Sequence, residues 1–190
     1  MRPAAPPTSF ATPEDFAAWL ADHHDSASEL WIRMFKKGSG TPSVDWNDCV
    51  VQSLAWGWID GRRASWDEVS FVQRFTPRRE GSAWSTKNRA HVERLLAEGR
   101  MQPSGFRHVQ AAKADGRWDT TYAGSKDMVL PADFLAALAE NPAAKAGFES
   151  LPRADVFAVY YRLHTAKRPD TRSKRLASMI GQLSRGEGIR

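Results

Sequence analysis

The sequence has a single cysteine, Cys49, and no long run of apolar residues. One cysteine excludes a disulfide within the chain and a cysteine-rich zinc site. No stretch approaches the roughly 20 apolar residues that a membrane helix needs, and the segment after Met1 lacks the apolar centre of a signal peptide. We therefore expect no membrane insertion, and the cytoplasm as the compartment.

The sequence also lacks the common signatures of metal and phosphate chemistry. The five histidines show no metal-binding spacing, because the adjacent His23 and His24 would point about 100° apart on a helix. There is no glycine-rich phosphate loop, nucleophile-elbow serine or HExxH motif. We expect no metal ion and no cofactor, and we expect Cys49 to be a buried structural thiol. Whether the chain is an enzyme stays open.

Charge is unevenly distributed along the 190 residues, whose net charge is +5. The first 29 residues hold one basic side chain against five acidic ones, and residues 162–190 hold eight basic against two acidic. This pattern permits an anionic partner at the C-terminal end, but solvated helix faces produce it as well. The basic last helix lacks interleaved aromatic residues, so the sequence argues against a nucleic-acid partner.

Residue periodicity predicts an α+β fold. Thr12-Pro13-Glu14-Asp15 is typical of a helix start, and residues 30–37 alternate as a strand does. Two further strands, near 58–64 and 70–76, are joined by a loop short enough for antiparallel pairing. Helices are expected after Ser43 or Asp45, after Ser85, and from Pro103.

The periodicity also predicts how the chain is divided. We expect a flexible N-terminus at 1–11 and an α+β unit at 12–120, in which helices pack with a small antiparallel sheet. A linker-like run follows at 119–129. The C-terminal unit, 129–186, is expected to be all-helical, because its last two helices carry apolar residues at the i, i+3, i+4, i+7 spacing.

Three segments combine tryptophans, arginines and one acid, and they lie at 54–63, 74–79 and 84–88. Guanidinium groups hold phosphate or carboxylate in a bidentate manner, a helix start adds open N–H groups, and indole faces stack on planar ligands. Asp60 would orient an arginine or act as a base. The structural alternative is that the tryptophans are core, the arginines cover them with their stems, and Asp60 caps a turn.

The anion-binding interpretation predicts a concave site near the ends of the second and third strands. Asp60 is the candidate catalytic residue, and Arg78 is expected at the surface. The predicted ligand-binding residues are Trp58, Asp60, Arg74, Arg78, Trp84, Lys87 and Asn88.

Several of the same segments are shared with a known family. The motifs are Gly57-Trp58-Ile59-Asp60-Gly61, Arg74-Phe75-Thr76-Pro77-Arg78-Arg79, Asp115-Gly116-Arg117-Trp118 and, near the C-terminus, Ala166-Lys167 with Thr171-Arg172. In these the chain resembles the YdeI/OmpD-associated, or bacteriocin-protection, family over about residues 10–186. Ala55 departs from it, since many relatives would have a cysteine there.

The resemblance implies a link to bacteriocin resistance or envelope stress and supplies no defined reaction. Three functions stay open. The first is binding of a small anionic or aromatic ligand at the Trp/Arg/Asp site. The second is a protein-interaction module that acts through a partner protein. The third is an enzyme that uses Asp60 as acid or base.

Overall fold

The computed structural model describes residues 5–189, which form eight helices and one three-stranded sheet. The three strands are β1 (Leu30–Phe35), β2 (Trp58–Ser65) and β3 (Ser70–Pro77). The helices are α1 (Pro13–His23), α2 (Trp46–Ala55), α3 (Thr86–Ala97), α4 (Pro103–Ala114), α5 (Ala132–Ala139), α6 (Pro142–Glu149), α7 (Arg153–His164) and α8 (Pro169–Ser184). The α+β class predicted from the periodicity is confirmed.

The chain divides into two compact units. The first unit holds the residues up to Trp84 together with Asn88–Thr120, and the second holds Ser85–Lys87 together with the residues from Thr121 on. The second unit contains 12 basic and 7 acidic side chains, so the whole net charge of +5 belongs to it. The first unit has no net charge.

The sheet of the first unit is antiparallel, in the order β1-β3-β2. The predicted hairpin of the second and third strands is present, with Trp58 opposite Pro77 and Asp60 opposite Phe75. The register then shifts between Asp60 and Arg63. Such a bulge inserts extra residues into one strand and bends it, and the two strands pair again from Arg63 to Ser65.

Part of the N-terminal segment is bound to the free edge of β1. The Thr8 amide donates to the Trp31 carbonyl over 2.9 Å, the Arg33 amide donates to the Thr8 carbonyl over 2.8 Å, and the Phe10 carbonyl accepts from Val44. An edge strand has unpaired N–H and C=O groups that any nearby backbone can satisfy. Thr8 and Phe10 of the segment expected to be flexible thus make backbone hydrogen bonds, and the first four residues of that segment lie outside the described part.

The core of the first unit lies between the sheet and helices α1 and α2. Leu30, Ile32 and Met34 of β1 are all buried, as their alternation predicts. Phe16 and Leu20 of α1 belong to the same core. The helix begins with a capping box, in which the Thr12 hydroxyl accepts from the Asp15 amide and the Asp15 carboxylate accepts from the Thr12 amide. Capping satisfies N–H groups that have no partner in the helix.

The second unit has its own apolar core, made by the four C-terminal helices. Its buried residues are Phe134, Leu138, Ala144, Val159, Leu163, Met179 and Leu183. Within the run at 119–129, the Tyr160 hydroxyl accepts from the Ala123 amide over 2.8 Å, and the Tyr122 carbonyl accepts from the Thr86 amide over 2.9 Å. These bonds hold residues 121–123 to the second unit.

No helix within residues 5–189 combines the length and the hydrophobicity that crossing a membrane requires.

Candidate anion site

The predicted site residues differ in their burial and in their hydrogen-bond partners. Trp58 is fully buried and its indole Nε1 donates to the His24 carbonyl over 3.0 Å. Asp60, two residues along β2, is half-exposed and its Oδ2 accepts from the Trp46 indole Nε1 over 3.1 Å. Trp58 is thus a core residue, and Asp60 lies beside the first turn of α2.

Arg74 lies on β3 opposite Trp31, and it is engaged by a carboxylate. Its Nη2 is 2.6 Å from Glu29 Oε2, and about two-fifths of its side chain is exposed. Lys87 and Asn88 occupy the first turn of α3, where Lys87 belongs to the second unit and Asn88 to the first.

Arg78 and Trp84 are brought together. The Arg78 guanidinium carbon lies 3.8 Å from the centroid of the Trp84 ring, and Arg78 Nη2 donates to the Ala83 carbonyl over 3.0 Å. Only 6% of Arg78 is exposed. The expectation that it lies at the surface is therefore wrong, because the indole face and the 79–84 segment cover the guanidinium group as well as its stem.

A second buried arginine, Arg117, lies in the same region. It is 8% exposed, its Nε is 2.7 Å from Asp115 Oδ2, and its Nη1 donates to the Ser82 carbonyl over 2.8 Å. Arg78 and Arg117 thus hold two consecutive carbonyls, those of Ser82 and Ala83. Next to these carbonyls the Trp84 ring packs edge-on against Trp118, with the ring centroids 5.1 Å apart.

His108 of α4 lies beside these arginines. Burial, followed by the positive charges of Arg78, Arg107 and Arg117, lowers the pKa of His108 below its usual range, against an opposing effect of Glu80. A neutral imidazole surrounded by guanidinium groups has one donor and one acceptor nitrogen. The residue is half-buried.

Gly57 brings α4 close to the start of β2. A side chain there would meet His108 Cδ2 at 2.8 Å and the Ser104 carbonyl oxygen at 3.0 Å, and Gly57 also adopts a φ of 81°. Its carbonyl accepts from the Arg78 amide over 2.9 Å. Gly57 therefore connects Arg78 on one side with Ser104 and His108 on the other.

Three polar side chains of this region lack hydrogen-bond partners among residues 5–189. The buried atoms are Trp84 Nε1 and Ser104 Oγ, and the His108 ring nitrogens make no hydrogen bond there either. Buried polar groups are rarely left unsatisfied, and each one calls for an explanation such as a bound ion or water. We call Arg78, Trp84, Ser104, His108 and Arg117 the Arg78 site.

The chemistry of the Arg78 site favours anions. Its arginines are permanent cations and fork-shaped donors, Trp84 Nε1 is a donor only, and Ser104 and His108 are able to donate. An anion reaching this position would find several donors in a region of reduced dielectric. Cations would be repelled, and the described residues contain no group of three side chains suited to a metal ion.

The sequence interpretation included Arg78 and Trp84 but missed Ser104 and His108 as parts of one site. His108 was considered only for metal binding. Its spacing of four from Ser104 places both on one face of α4, and that spacing was the available signal. The contact that brings this face to Arg78 passes through Gly57 and depends on tertiary packing.

Cys49 is buried in α2, as predicted. Burial, followed by the negative charges of Asp48 and Asp45, raises the pKa of its thiol far above the usual range. A thiol that stays protonated is a poor nucleophile and a poor metal ligand. Cys49 is therefore a packing residue of the core.

Comparison with known proteins relates the two parts of the chain to two families. Residues 8–108 match a family described as a domain of unknown function, DUF8412, which covers more than half of the chain. The chain belongs to the DUF8412 family. Its residues 127–186 match the family described as Bacteriocin-protection, YdeI or OmpD-Associated, which confirms the resemblance in that region. No curated protein and no solved structure matches the chain. The Arg78 site draws Arg78, Trp84, Ser104 and His108 from the DUF8412 region, and Arg117 follows it.

Proposed function

We propose that the first unit binds a small anion of the phosphate or carboxylate class at the Arg78 site, in a protein of the bacteriocin-protection type. The observation that carries the proposal is the presence, in one part of the first unit, of two buried arginines and of the unsatisfied Trp84 Nε1 and Ser104 Oγ. The match of residues 127–186 supports the physiological setting.

The energetics favour an anion over an empty cluster. A guanidinium group taken out of water loses several kcal/mol of hydration. Asp115 compensates part of this cost for Arg117, and its side chain remains about half-exposed. A hydrogen bond to a charged group is worth about 1.5–3 kcal/mol, so an anion that accepts from the arginines and the orphaned donors lowers the free energy of the folded state.

The direct test is a titration of the full chain with inorganic phosphate, at constant pH and ionic strength. The Trp84 indole N–H and the His108 ring are followed by NMR. We expect both signals to shift with one saturation curve and a Kd of about 1 mM or tighter, equivalent to about −4 kcal/mol. Phosphate that leaves both signals unchanged would refute the proposal.

The variants separate the Arg78 site from general charge effects. Arg78→Lys keeps the charge and loses the planar fork, so we expect at least about tenfold weaker binding, equivalent to 1.4 kcal/mol. Arg74→Ala, which removes a half-exposed arginine paired with Glu29, is the control and should bind phosphate normally. If Arg78→Lys does not fold, Ser104→Ala decides, because it removes one donor without touching a buried charge. Normal binding by folded Arg78→Lys and by Ser104→Ala contradicts the proposal.

A further inference from the structure

An open groove of about 510 Å³ lies in the first unit, between the end of β1, the loop that follows it and the start of α2. Its lining residues run from Met34 to Trp46, with Phe71 of β3 added. None of them belongs to the Arg78 site. The volume falls within the range of about 300–1,000 Å³ that is typical of small-molecule sites.

Two aromatic side chains of the groove are held in place by polar partners. Trp46 is 37% exposed, and its Nε1 donates to Asp60 Oδ2 over 3.1 Å, which fixes the indole plane. Phe71 carries the Arg63 guanidinium over its ring, 3.8 Å from the centroid. An exposed tryptophan with a fixed orientation loses little conformational entropy when a planar ligand packs against it.

The charges along the groove favour an anionic ligand group. Lys36 and Lys37 are both exposed; Lys36 Nζ donates to the Glu68 carbonyl over 2.7 Å, and Lys37 makes no hydrogen bond or ion pair with any of residues 5–189. The one carboxylate in the lining belongs to Asp45, whose Oδ1 accepts from the Asp48 amide over 2.8 Å and caps α2. Lys37 is therefore the cation best able to meet a ligand.

We propose that this groove is a second ligand site, which binds a small planar aromatic molecule that bears one carboxylate or other singly charged anionic group. The ring packs against Trp46 and Phe71, and the anionic group lies at Lys36 and Lys37. The groove combines an apolar surface with a few polar groups that orient the ligand, as small-molecule sites do.

The test compares indole-3-acetate with its neutral analogue indole-3-acetamide. Both are titrated into the full chain while the Trp46 indole N–H signal, assigned with Trp46→Phe, is followed by NMR. We expect a saturable shift of this signal with indole-3-acetate and at least about threefold weaker binding of the amide, as for one exposed charge pair. No saturable shift, or equal affinity for the two compounds, overturns the proposal.

Two lysine variants test the position of the anionic group. Lys37→Ala should weaken indole-3-acetate binding about threefold and leave indole-3-acetamide binding unchanged. Lys145→Ala removes an exposed charge from the second unit and should change neither. An equal loss for both compounds in Lys37→Ala contradicts the assignment of the anion to this lysine. This test follows the NMR signal of Trp46, whereas the phosphate titration follows the signals of Trp84 and His108. Either proposal can therefore be refuted without the other.

Discussion

At the residue scale, Trp84 and Ser104 each bury a polar atom that has no hydrogen-bond partner in residues 5–189. Leaving such an atom unsatisfied costs about 1–3 kcal/mol. Ser104 lies against Gly57, whose carbonyl accepts from the Arg78 amide, and the Trp84 ring lies against the Arg78 guanidinium group. This shared connection to Arg78 is the physical argument for a ligand at the Arg78 site, which scattered unsatisfied atoms would not supply.

His108 makes the stability of the first unit depend on pH. Because its pKa is lowered in the folded state, the unfolded chain binds more protons between that lowered value and the usual pKa of about 6.5. The stability from neutral His108 is therefore fully present above about pH 6.5 and is lost as the pH falls to the lowered pKa.

We accordingly expect the free energy of unfolding to fall more steeply in the unaltered protein than in His108→Gln between pH 7.5 and 5. Urea denaturation at a series of pH values measures this difference, and the other histidines cancel because both proteins contain them. A constant difference between the two proteins across this range would show that His108 is not perturbed.

The sequence predicted which side chains lie near Arg78, but not how deeply Arg78 is buried. The pattern around Arg78 predicted a cation beside tryptophans, and the structure has that contact. Its burial could not be predicted, because the same residues are compatible with an exposed guanidinium group and with one that the Trp84 ring covers. Which of the two occurs depends on tertiary packing, which leaves no local period in the sequence.

At the scale of helices and strands, local sequence patterns were sufficient to predict the individual elements, but not how the strands are ordered in the sheet. The capped start of α1, the alternation of β1 and the short β2–β3 loop all involve residues within a few positions of one another. The placement of β3 between the other two strands, and the pairing of Thr8 with β1, were not predicted. Strand order requires knowledge of which edges meet, and several orders satisfy the same apolar pattern.

At Gly147 the backbone of α6 lies against the backbone of α8. A β-carbon there would lie 2.2 Å from the Leu183 carbonyl oxygen, a backbone atom, whereas one at Gly181 would meet only the end of the Arg185 side chain at 3.4 Å. We expect Gly147→Ala to destabilise the protein by about 1–3 kcal/mol through overpacking. Gly181→Ala should stabilise it by about 0.5–1 kcal/mol, because alanine is the better helix former.

Thermal denaturation followed by circular dichroism compares the two alanine variants. They carry the same substitution in helices of one unit, so any general effect of the added methyl group is shared. Equal midpoints for the two variants would show that α6 and α8 do not approach each other as closely as the structure has them.

At the scale of the whole molecule, the net positive charge belongs to the second unit, while basic and acidic side chains balance in the first. Many of these cations are already engaged: Arg172 pairs with Asp133, Arg185 with Glu187, and Arg175 Nη1 donates to the Arg162 carbonyl over 2.6 Å. Nucleic-acid binding requires several cations that are free to displace counterions from phosphates.

We therefore expect no binding to single- or double-stranded DNA tighter than about 10 µM at physiological salt, in the range of weak non-specific contacts. Fluorescence anisotropy with labelled oligonucleotides at 50 and 200 mM salt measures this, with the charge-reversed Lys174→Glu as a control that should weaken any residual binding. Tight and sequence-selective binding would contradict the expectation.

Ser85–Lys87 belong to the second unit although the rest of that unit begins only at Thr121. The polypeptide passes between the two units three times, at residues 84–85, 87–88 and 120–121. A gene fragment that ends at residue 120 would encode the first turn of α3 without Tyr122, whose carbonyl accepts from the Thr86 amide. Recombination at a single junction could not exchange the C-terminal module intact, so a functional chimera must replace residues 85–87 together with it.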